Sequence, residues 1–141
     1  MNLQTAILVA CEAHKDQIDK ASDPYILHPL RIMFQFDDEQ LKIIAVLHDV
    51  VEDSQITLDD LRSRGFSYDI VDALDCLTKR SSESYEQFIN RVSTNKLAIK
   101  VKIADLKDNL KLERLPTLYE SDLKRIKKYH KALKVLQAKY C

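Results

Sequence analysis

Apolar positions recur along this chain at intervals of three and four residues, and strict alternation of apolar and polar residues is absent over any useful length. That period predicts helices and argues against a sheet. The first helix is expected from about Asn2 to Ile18, with Leu3, Ile7, Ala10, Cys11 and His14 on one stripe. His14 reads there as a core histidine or one that supports a site from behind. Residues 19–24 form a loop, because Pro24 biases Asp23 away from helical geometry. A second helix opens near Tyr25, and Pro29 is tolerable only in its first turn. His28 therefore stands at the helix entrance. Asp37 with Gln40 resembles a capping box at the head of a third helix. That helix carries Leu41, Ile44, Ala45 and Leu47 into a polar cluster that begins at His48.

The second half keeps the same rhythm. Thr57, with Asp60 three residues on, caps a short helix that Gly65 stops. Ser67 or Tyr68 begins another, with Ile70, Val71, Leu74 and Leu77 inward. Residues 78–83 are polar and read as a mobile rim. A helix from Tyr85 to Val92 turns Phe88 and Ile89 inward, and a longer one is expected from Lys96 to Leu112. Pro116 breaks the chain, and Ser121 is expected to cap the last helix. Leu123, Ile126, Tyr129, Leu133 and Leu136 supply its packing face, with His130 at the surface or core edge. The expectation is one all-α domain over residues 1–141, a helical bundle without a linker or repeat.

Composition narrows the classes of function. The 141 residues are 45% hydrophobic and 31% charged, which suits one soluble domain with a sizeable core. A single Gly and three Pro leave few tight turns for a sheet. Lys and Arg number 22, as do Asp and Glu, so no global field favours nucleic acid or an anionic membrane. There is no run of about 18 apolar residues to span a bilayer. Met1-Asn2-Leu3-Gln4-Thr5 lacks a basic leader region, so a cytoplasmic protein is expected. Cys11, Cys76 and Cys141 are far apart and read as reduced thiols, two buried and one at the frayed end.

The candidate chemistry centres on His48-Asp49-Val50-Val51-Glu52-Asp53. Read as one continuous helix, His48 and Glu52 are i,i+4 neighbours, as are Asp49 and Asp53. Three carboxylates crowding an imidazole repel one another and cost desolvation if buried, and a cation would relieve both. Farther on, Leu97, Val101, Asp105 and Asn109 lie at successive i,i+4 positions, so an acid and an amide continue an apolar face. A buried Asp105 needs a partner or a metal; an Asp capping a neighbouring helix is the alternative.

Together these signals form the order His28, His48-Asp49, Asp105, which resembles the HD-domain phosphohydrolases. The flanking residues narrow the resemblance. The segments 23–30 (Asp-Pro-Tyr-Ile-Leu-His-Pro-Leu), 48–53 and 103–109 (Ile-Ala-Asp-Leu-Lys-Asp-Asn) are similar to motifs of the RelA/SpoT hydrolase domains, and Leu77-Thr78-Lys79 is similar to a short segment between them. The resemblance spans roughly Leu3 to Leu112 and points to the small, stand-alone alarmone hydrolases. It implies an all-α HD fold, a bound manganese ion or another divalent metal, and hydrolysis of guanosine tetra- or pentaphosphate at the 3′-pyrophosphate. It implies His28, His48, Asp49 and Asp105 as metal ligands, Glu52 and Asp53 as the catalytic acidic pair, Lys20 in nucleotide binding and Asn109 at the sugar. It also leads to the expectation that Tyr25 packs beneath the motif. Asp19 departs from the pattern, since many members have Arg there, and Ser22-Asp23 replaces the common Gly-Glu. Lys20, Lys100, Lys102, Lys107 and Lys111 are candidates for a local positive rim.

Two other functions fit part of the pattern. One is a phosphatase of the same fold acting on another nucleotide, including a nicotinamide dinucleotide phosphate. The other is a catalytically silent domain that binds a nucleotide or partner as a regulator. Glu52-Asp53 argues against silence, because a binding module has no need of acids that activate water.

Overall fold

The structure, a computed structural model, describes residues 2–140. It holds nine helices among the described residues: α1 (Leu3–Ala13), α2 (Leu27–Met33), α3 (Glu39–Leu47), α4 (Val50–Asp53), α5 (Leu58–Ser63), α6 (Tyr68–Leu77), α7 (Tyr85–Val92), α8 (Lys96–Asn109) and α9 (Glu120–Tyr140). An isolated bridge between Ile18 and Pro24 is the one β-type pairing among those residues. Among the described residues no helix is long and apolar enough to cross a membrane.

α3 is the spine. Residues Ile43 to Leu47 are all buried, and α3 packs against α1, α2, α6 and α8. A helix apolar on every side has to be enclosed on every side. α8 is enclosed in the same way, between α2, α3 and α6 on one side and α9 on the other. It therefore buries Ala98, Ile99, Val101, Ala104 and Leu106, and with them Asp105 and Asp108.

Most helix ends lie where short polar side chains direct them. Thr57 and Asp60 form a reciprocal capping box on α5, and Ser84 with Gln87 forms another on α7. Ser67 caps α6, and Gly65, at φ 91°, closes the turn after α5. Four boundaries differ from the sequence expectation. α1 stops at Ala13, because His14 leaves helical geometry and Asp16 takes φ 65°. The cap of α3 is Asp38, whose side chain accepts from the Leu41 N–H; Asp37 is not the cap. α8 ends at Asn109. α9 begins before Ser121: the Tyr119 carbonyl accepts from the N–H groups of Asp122 and Leu123, and Asp122 Oδ2 accepts from the Tyr119 N–H.

Side-chain placement brings further corrections. Leu123 is exposed on α9, whose buried face is Asp122, Ala132, Leu133 and Leu136. Cys11 is exposed and Cys76 half-buried, and both are free thiols. Neither helix position turns its thiol fully into the core. The thiol expected at the frayed end, Cys141, lies outside the described residues.

Leu47 is fully buried immediately before the polar cluster. Leu47→Ala is expected to lower unfolding stability by about 2–5 kcal/mol in urea titrations. A loss under about 1 kcal/mol would show that α3 is not the closed centre of this core.

Candidate metal centre and cleft

The apolar helix α3 does not run on through the polar cluster. His48 turns its side chain back so that Nδ1 lies 2.6 Å from the Ala45 carbonyl oxygen. Asp49 then takes φ −103°, ψ −1°, and a separate turn of helix, α4, starts at Val50. The continuous-helix reading of residues 48–53 is thus corrected, and the break has a consequence. Successive side chains on an unbroken helix do not face each other. Here the neighbours His48 and Asp49 converge, with Nε2 3.0 Å from Oδ2.

Two other helices bring donors to the same point. His28, buried in the first turn of α2, places Nε2 2.9 Å from Asp105 Oδ1 and 3.7 Å from Asp49 Oδ2. Asp105, buried on α8, places Oδ1 3.4 Å from His48 Nε2. Ligand atoms of His28, His48 and Asp49 all lie within 4.8 Å of one another. The four residues that the sequence nominates as ligands are therefore adjacent in space.

Hydrogen bonds behind the imidazoles fix their chemistry. A carbonyl oxygen only accepts, so His48 Nδ1 carries a proton and donates to Ala45. His48 Nε2 is then turned toward the carboxylates, buried and without a good hydrogen bond. His28 Nδ1 sits 2.7 Å from Asp108 Oδ2 and donates likewise, leaving Nε2 for the cluster. Imidazoles held through Nδ1 by a carbonyl or carboxylate, with Nε2 presented inward, are arranged as metal ligands are. The site fits a divalent ion on this ground, through His28, His48, Asp49 and Asp105.

Asp108 is the residue that sequence reasoning missed. It is almost fully buried and receives His28 Nδ1, Arg31 Nε (3.0 Å) and Arg31 Nη2 (3.0 Å), while Arg114 Nη2 lies 3.4 Å away. Its sequence signals are its place inside the 103–109 segment and its position three residues after Asp105. Lys102 is a second revision. It lines the cleft but is paired inside it: its Nζ lies 2.8 Å from Asp105 Oδ2 and 5.2 Å from the centre of the Phe88 ring. Asp105 thus has Lys102, His28 and Asn109 as partners and caps no neighbouring helix.

Charge states follow from these neighbours. Burial opposes the charged form of His48, but Asp49 and Asp105 outweigh it and raise its pKa well above 6.5. His28 is also raised, with burial outweighed by Asp105 and Asp108. Burial would raise the Asp49 carboxyl, yet His48 holds it down at about 2. Asp105 is held well below the usual range against its burial, chiefly by Lys102 and His48. Asp53 behaves oppositely. Partial burial, then the charges of Asp49 and Glu52, push it up to about 6.

The remaining nominated residues surround this centre. Tyr25 donates its hydroxyl to Asp49 Oδ2 and packs against the His14 and His28 rings. His14 is buried, its Nδ1 2.9 Å from Gln17 Oε1, and Gln17 donates to the Asp53 carbonyl. It therefore supports the site from behind, as expected. Glu52 accepts the Lys79 N–H at Oε1, 2.8 Å away. Asn109 donates to Asp105 Oδ1 at 3.0 Å. Lys20 is exposed at the mouth of a cleft of about 650 Å³ that opens over the cluster. Asp19 is folded onto its own loop, where Oδ1 accepts from the Ala21 and Asp23 N–H groups.

The cleft wall is rich in cations. Lys20, Lys102 and Lys111 of the expected rim line it; Lys100 and Lys107 do not. Lys79, from the Leu77-Thr78-Lys79 segment, also lines the wall, as do Arg31, Arg114, Arg125 and Lys128, which were not singled out by sequence. Lys128 Nζ stands 4.6 Å from the Tyr85 ring centre and 5.4 Å from that of Tyr129.

Both raised histidines contribute stability that is fully present below their ordinary value of 6.5 and lost as pH rises through the folded values. Melting temperatures of metal-stripped protein should therefore fall as pH is raised above about 6.5. A saturating divalent ion should flatten that fall, because it replaces the two Nε2 protons. Melts that stay level without metal would show that the imidazoles are not charged in the folded state.

No family model matches the chain. Among curated proteins, it is 29% identical over 121 residues to a guanosine-3′,5′-bis(diphosphate) 3′-pyrophosphohydrolase of Aquifex aeolicus, covering 77% of this chain and 17% of that protein. It is 31% identical over 124 residues to the bifunctional (p)ppGpp synthase/hydrolase SpoT of Escherichia coli, covering 77% and 18%. A GTP pyrophosphokinase of Streptomyces coelicolor matches at 29% identity over 148 residues, covering 96% and 16%. The chain thus spans less than a fifth of the length of these relatives. A solved structure described as a metazoan ortholog of SpoT that hydrolyses ppGpp superposes with a TM-score of 0.76 at 23% identity, covering 98% of this chain and 90% of the other. The motif order and the helical fold agree with these similarities: the chain is similar in sequence to one part of the (p)ppGpp synthase/hydrolase proteins and shares its fold with the SpoT ortholog.

Proposed function

We propose that residues 1–141 act as one HD unit that hydrolyses guanosine tetra- and pentaphosphate, releasing pyrophosphate from the 3′ position and leaving GDP or GTP. The observation that carries this reading is the meeting of four nitrogen and oxygen donors at the floor of a cation-lined cleft, with two further acids beside them. A cleft of about 650 Å³ is of the size that takes a nucleotide. Its lysines and arginines suit a polyanion, although the whole chain has zero formal charge. A cytoplasmic setting goes with a nucleotide substrate and free thiols.

His28, His48, Asp49 and Asp105 are the proposed ligands, and mixed imidazole and carboxylate donors suit manganese. When bound, the ion polarises a phosphoryl oxygen and lowers the pKa of water. Asp49 is kept anionic by His48 and oriented by the Tyr25 hydroxyl. Glu52 and Asp53 orient the attacking water and accept its proton. Asp53, lifted to about 6, suits a group that gains and returns a proton near neutrality. The new bond joins the water oxygen to phosphorus, the bond from that phosphorus to the 3′ oxygen breaks, and the 3′ oxygen leaves as a hydroxyl. Lys20, with Lys111 and Arg114, balances the phosphates, and Asn109 lies close enough to Asp105 to meet the sugar.

Incubation with guanosine tetraphosphate and manganese, with chromatographic identification of products, tests the reading. GDP and pyrophosphate are expected. Orthophosphate release from a nicotinamide dinucleotide phosphate, with the tetraphosphate untouched, would transfer the assignment to the phosphatase alternative. Binding without turnover of either would favour a regulator.

His48→Ala should abolish metal binding in calorimetry. Glu52→Gln should retain metal and lower kcat by about 10²–10⁴-fold, the usual weight of a general acid–base group. Full turnover in the metal-loaded Glu52→Gln, Asp53→Asn double variant would remove both acids from the chemistry.

Asp19 generates a separate expectation. Its Oδ1 accepts loop amides, a task that asparagine also performs. Asp19→Asn should therefore change the ratio of kcat/KM between guanosine tetraphosphate and its adenosine counterpart by less than about tenfold. A guanine preference above about a thousandfold that collapses in this variant would show that Asp19 reads the base.

A further inference from the structure

Glu52 is exposed, and an exposed carboxylate on a single turn of helix would sample several rotamers unless something held it. Its Oε1 accepts from the Lys79 N–H at 2.8 Å. That N–H belongs to the peptide group whose carbonyl is that of Thr78. The Thr78 carbonyl oxygen in turn accepts from Arg91 Nη2 at 2.7 Å. Among the described residues no peptide bond is cis. In a trans peptide the C=O and N–H point in opposite directions within one plane. Pinning the carbonyl from the α7 side therefore aims the N–H toward α4.

Arg91 is itself held firmly. Nη1 donates to the Asp75 carbonyl at 2.6 Å, at the end of α6. Nε and Nη2 form a two-point contact with Glu83, at 2.8 Å each. Glu83 closes the turn by accepting the Arg80 N–H at 2.9 Å. The guanidinium thus joins the last turn of α7, which carries it, to the C-terminal end of α6 and the 78–83 loop. The loop expected to be a mobile rim is instead bound at both ends and at its centre. A cation on the carbonyl side also polarises the peptide and strengthens its N–H as a donor.

We propose that Arg91 is a positioning residue for the hydrolytic reaction, acting through the Thr78–Lys79 peptide plane to aim the Glu52 carboxylate. The inference rests on the catalytic role assigned to Glu52 under Proposed function. Arg91 makes no contact with the donor cluster and does not itself line the cleft; it stands behind the wall, 5.9 Å from the centre of the Phe88 ring. Its influence therefore falls on turnover and not on ground-state binding of the nucleotide. A planar, forked donor is required, because one atom set must reach two carbonyls and a carboxylate together.

The test joins kinetics with a readout that does not depend on activity. Arg91→Met in the manganese-loaded protein is expected to lower kcat about tenfold to a hundredfold, the scale of a small misplacement of a reacting group, with KM changed less than about threefold. In a Glu52→Gln background the same substitution should lower kcat no further. In amide NMR spectra, the Lys79 proton should move upfield and lose exchange protection in Arg91→Met, while amides of α3 and α8 stay in place. Arg91→Lys keeps the charge without the fork, should reproduce the Lys79 shift, and serves if the Met variant does not fold. An unmoved Lys79 amide, or an equal kcat loss in both backgrounds, would overturn the proposal. If the wild-type chain does not hydrolyse guanosine tetraphosphate, the assigned reaction fails, and the Lys79 amide still decides whether Arg91 sets that peptide plane.

Discussion

The cost of placing ionisable groups inside an apolar bundle governs this structure. His28, His48, Asp105 and Asp108 are each at most 4% exposed. Even after relaxation, burying a single ion costs several kcal/mol, so each group has to meet a partner of opposite charge or a strong hydrogen bond. Three helices are fixed by that need. α2 supplies His28 and Arg31, the end of α3 supplies His48, and α8 supplies Lys102, Asp105 and Asp108. Hydrophobic packing brings α2, α3 and α8 together, but it is indifferent to small rotations about their axes. The bonds from Asp108 to His28 and Arg31, and from Lys102 to Asp105, are not. They select the rotation that presents both Nε2 atoms to one point.

The same economy of placement explains how a chain with no net charge can present a cation-lined cleft. The buried carboxylates gather at the cleft floor, and the lysines and arginines line its walls. Over most of the surface the opposite charges are interspersed and screen within about 10 Å at ordinary ionic strength. Inside a concave, partly apolar cleft they are screened far less. Lys128, lying against Tyr85 and Tyr129, exemplifies the wall: an aromatic surface holds the ammonium where water would otherwise surround it. Total charge is therefore a poor guide to local field in this protein.

Much of the helix order was legible because local chemistry determines it. Thr57 with Asp60, Ser67, and the Tyr85–Val92 amphipathic turn are found where periodicity and capping residues put them. The break after Leu47 was not legible, because Val50 and Val51 extend the apolar rhythm of α3 and no Gly or Pro marks the interruption. It depends on His48 reaching back to Ala45, a choice made by tertiary surroundings. Asp108 and Lys102 were obscured for a related reason. On a helix enclosed from two sides, residues on several faces are buried, and a single-stripe reading follows only one of them. The halves of the Arg91 network lie 8 to 16 residues apart in sequence and share no period that a pattern could reveal.

Environment divides one side-chain type into two kinds of work. Asp49 and Asp105 are carboxylates held anionic by His48 and Lys102, with few oxygen lone pairs left free to move. Such groups are suited to holding a cation in a fixed geometry, since they resist both protonation and rotation. Glu52 and Asp53, one helical turn away, are more open to water, and Asp53 is pushed toward neutrality by the very charges that Asp49 and Glu52 carry. A carboxyl near its midpoint at working pH can exchange a proton, which a carboxyl locked at about 2 cannot. The short interruption at His48-Asp49 separates these classes. It turns the first two polar residues into the core and leaves the next two acids at the cleft surface, the division of labour between cation holding and proton transfer on which the proposed function relies.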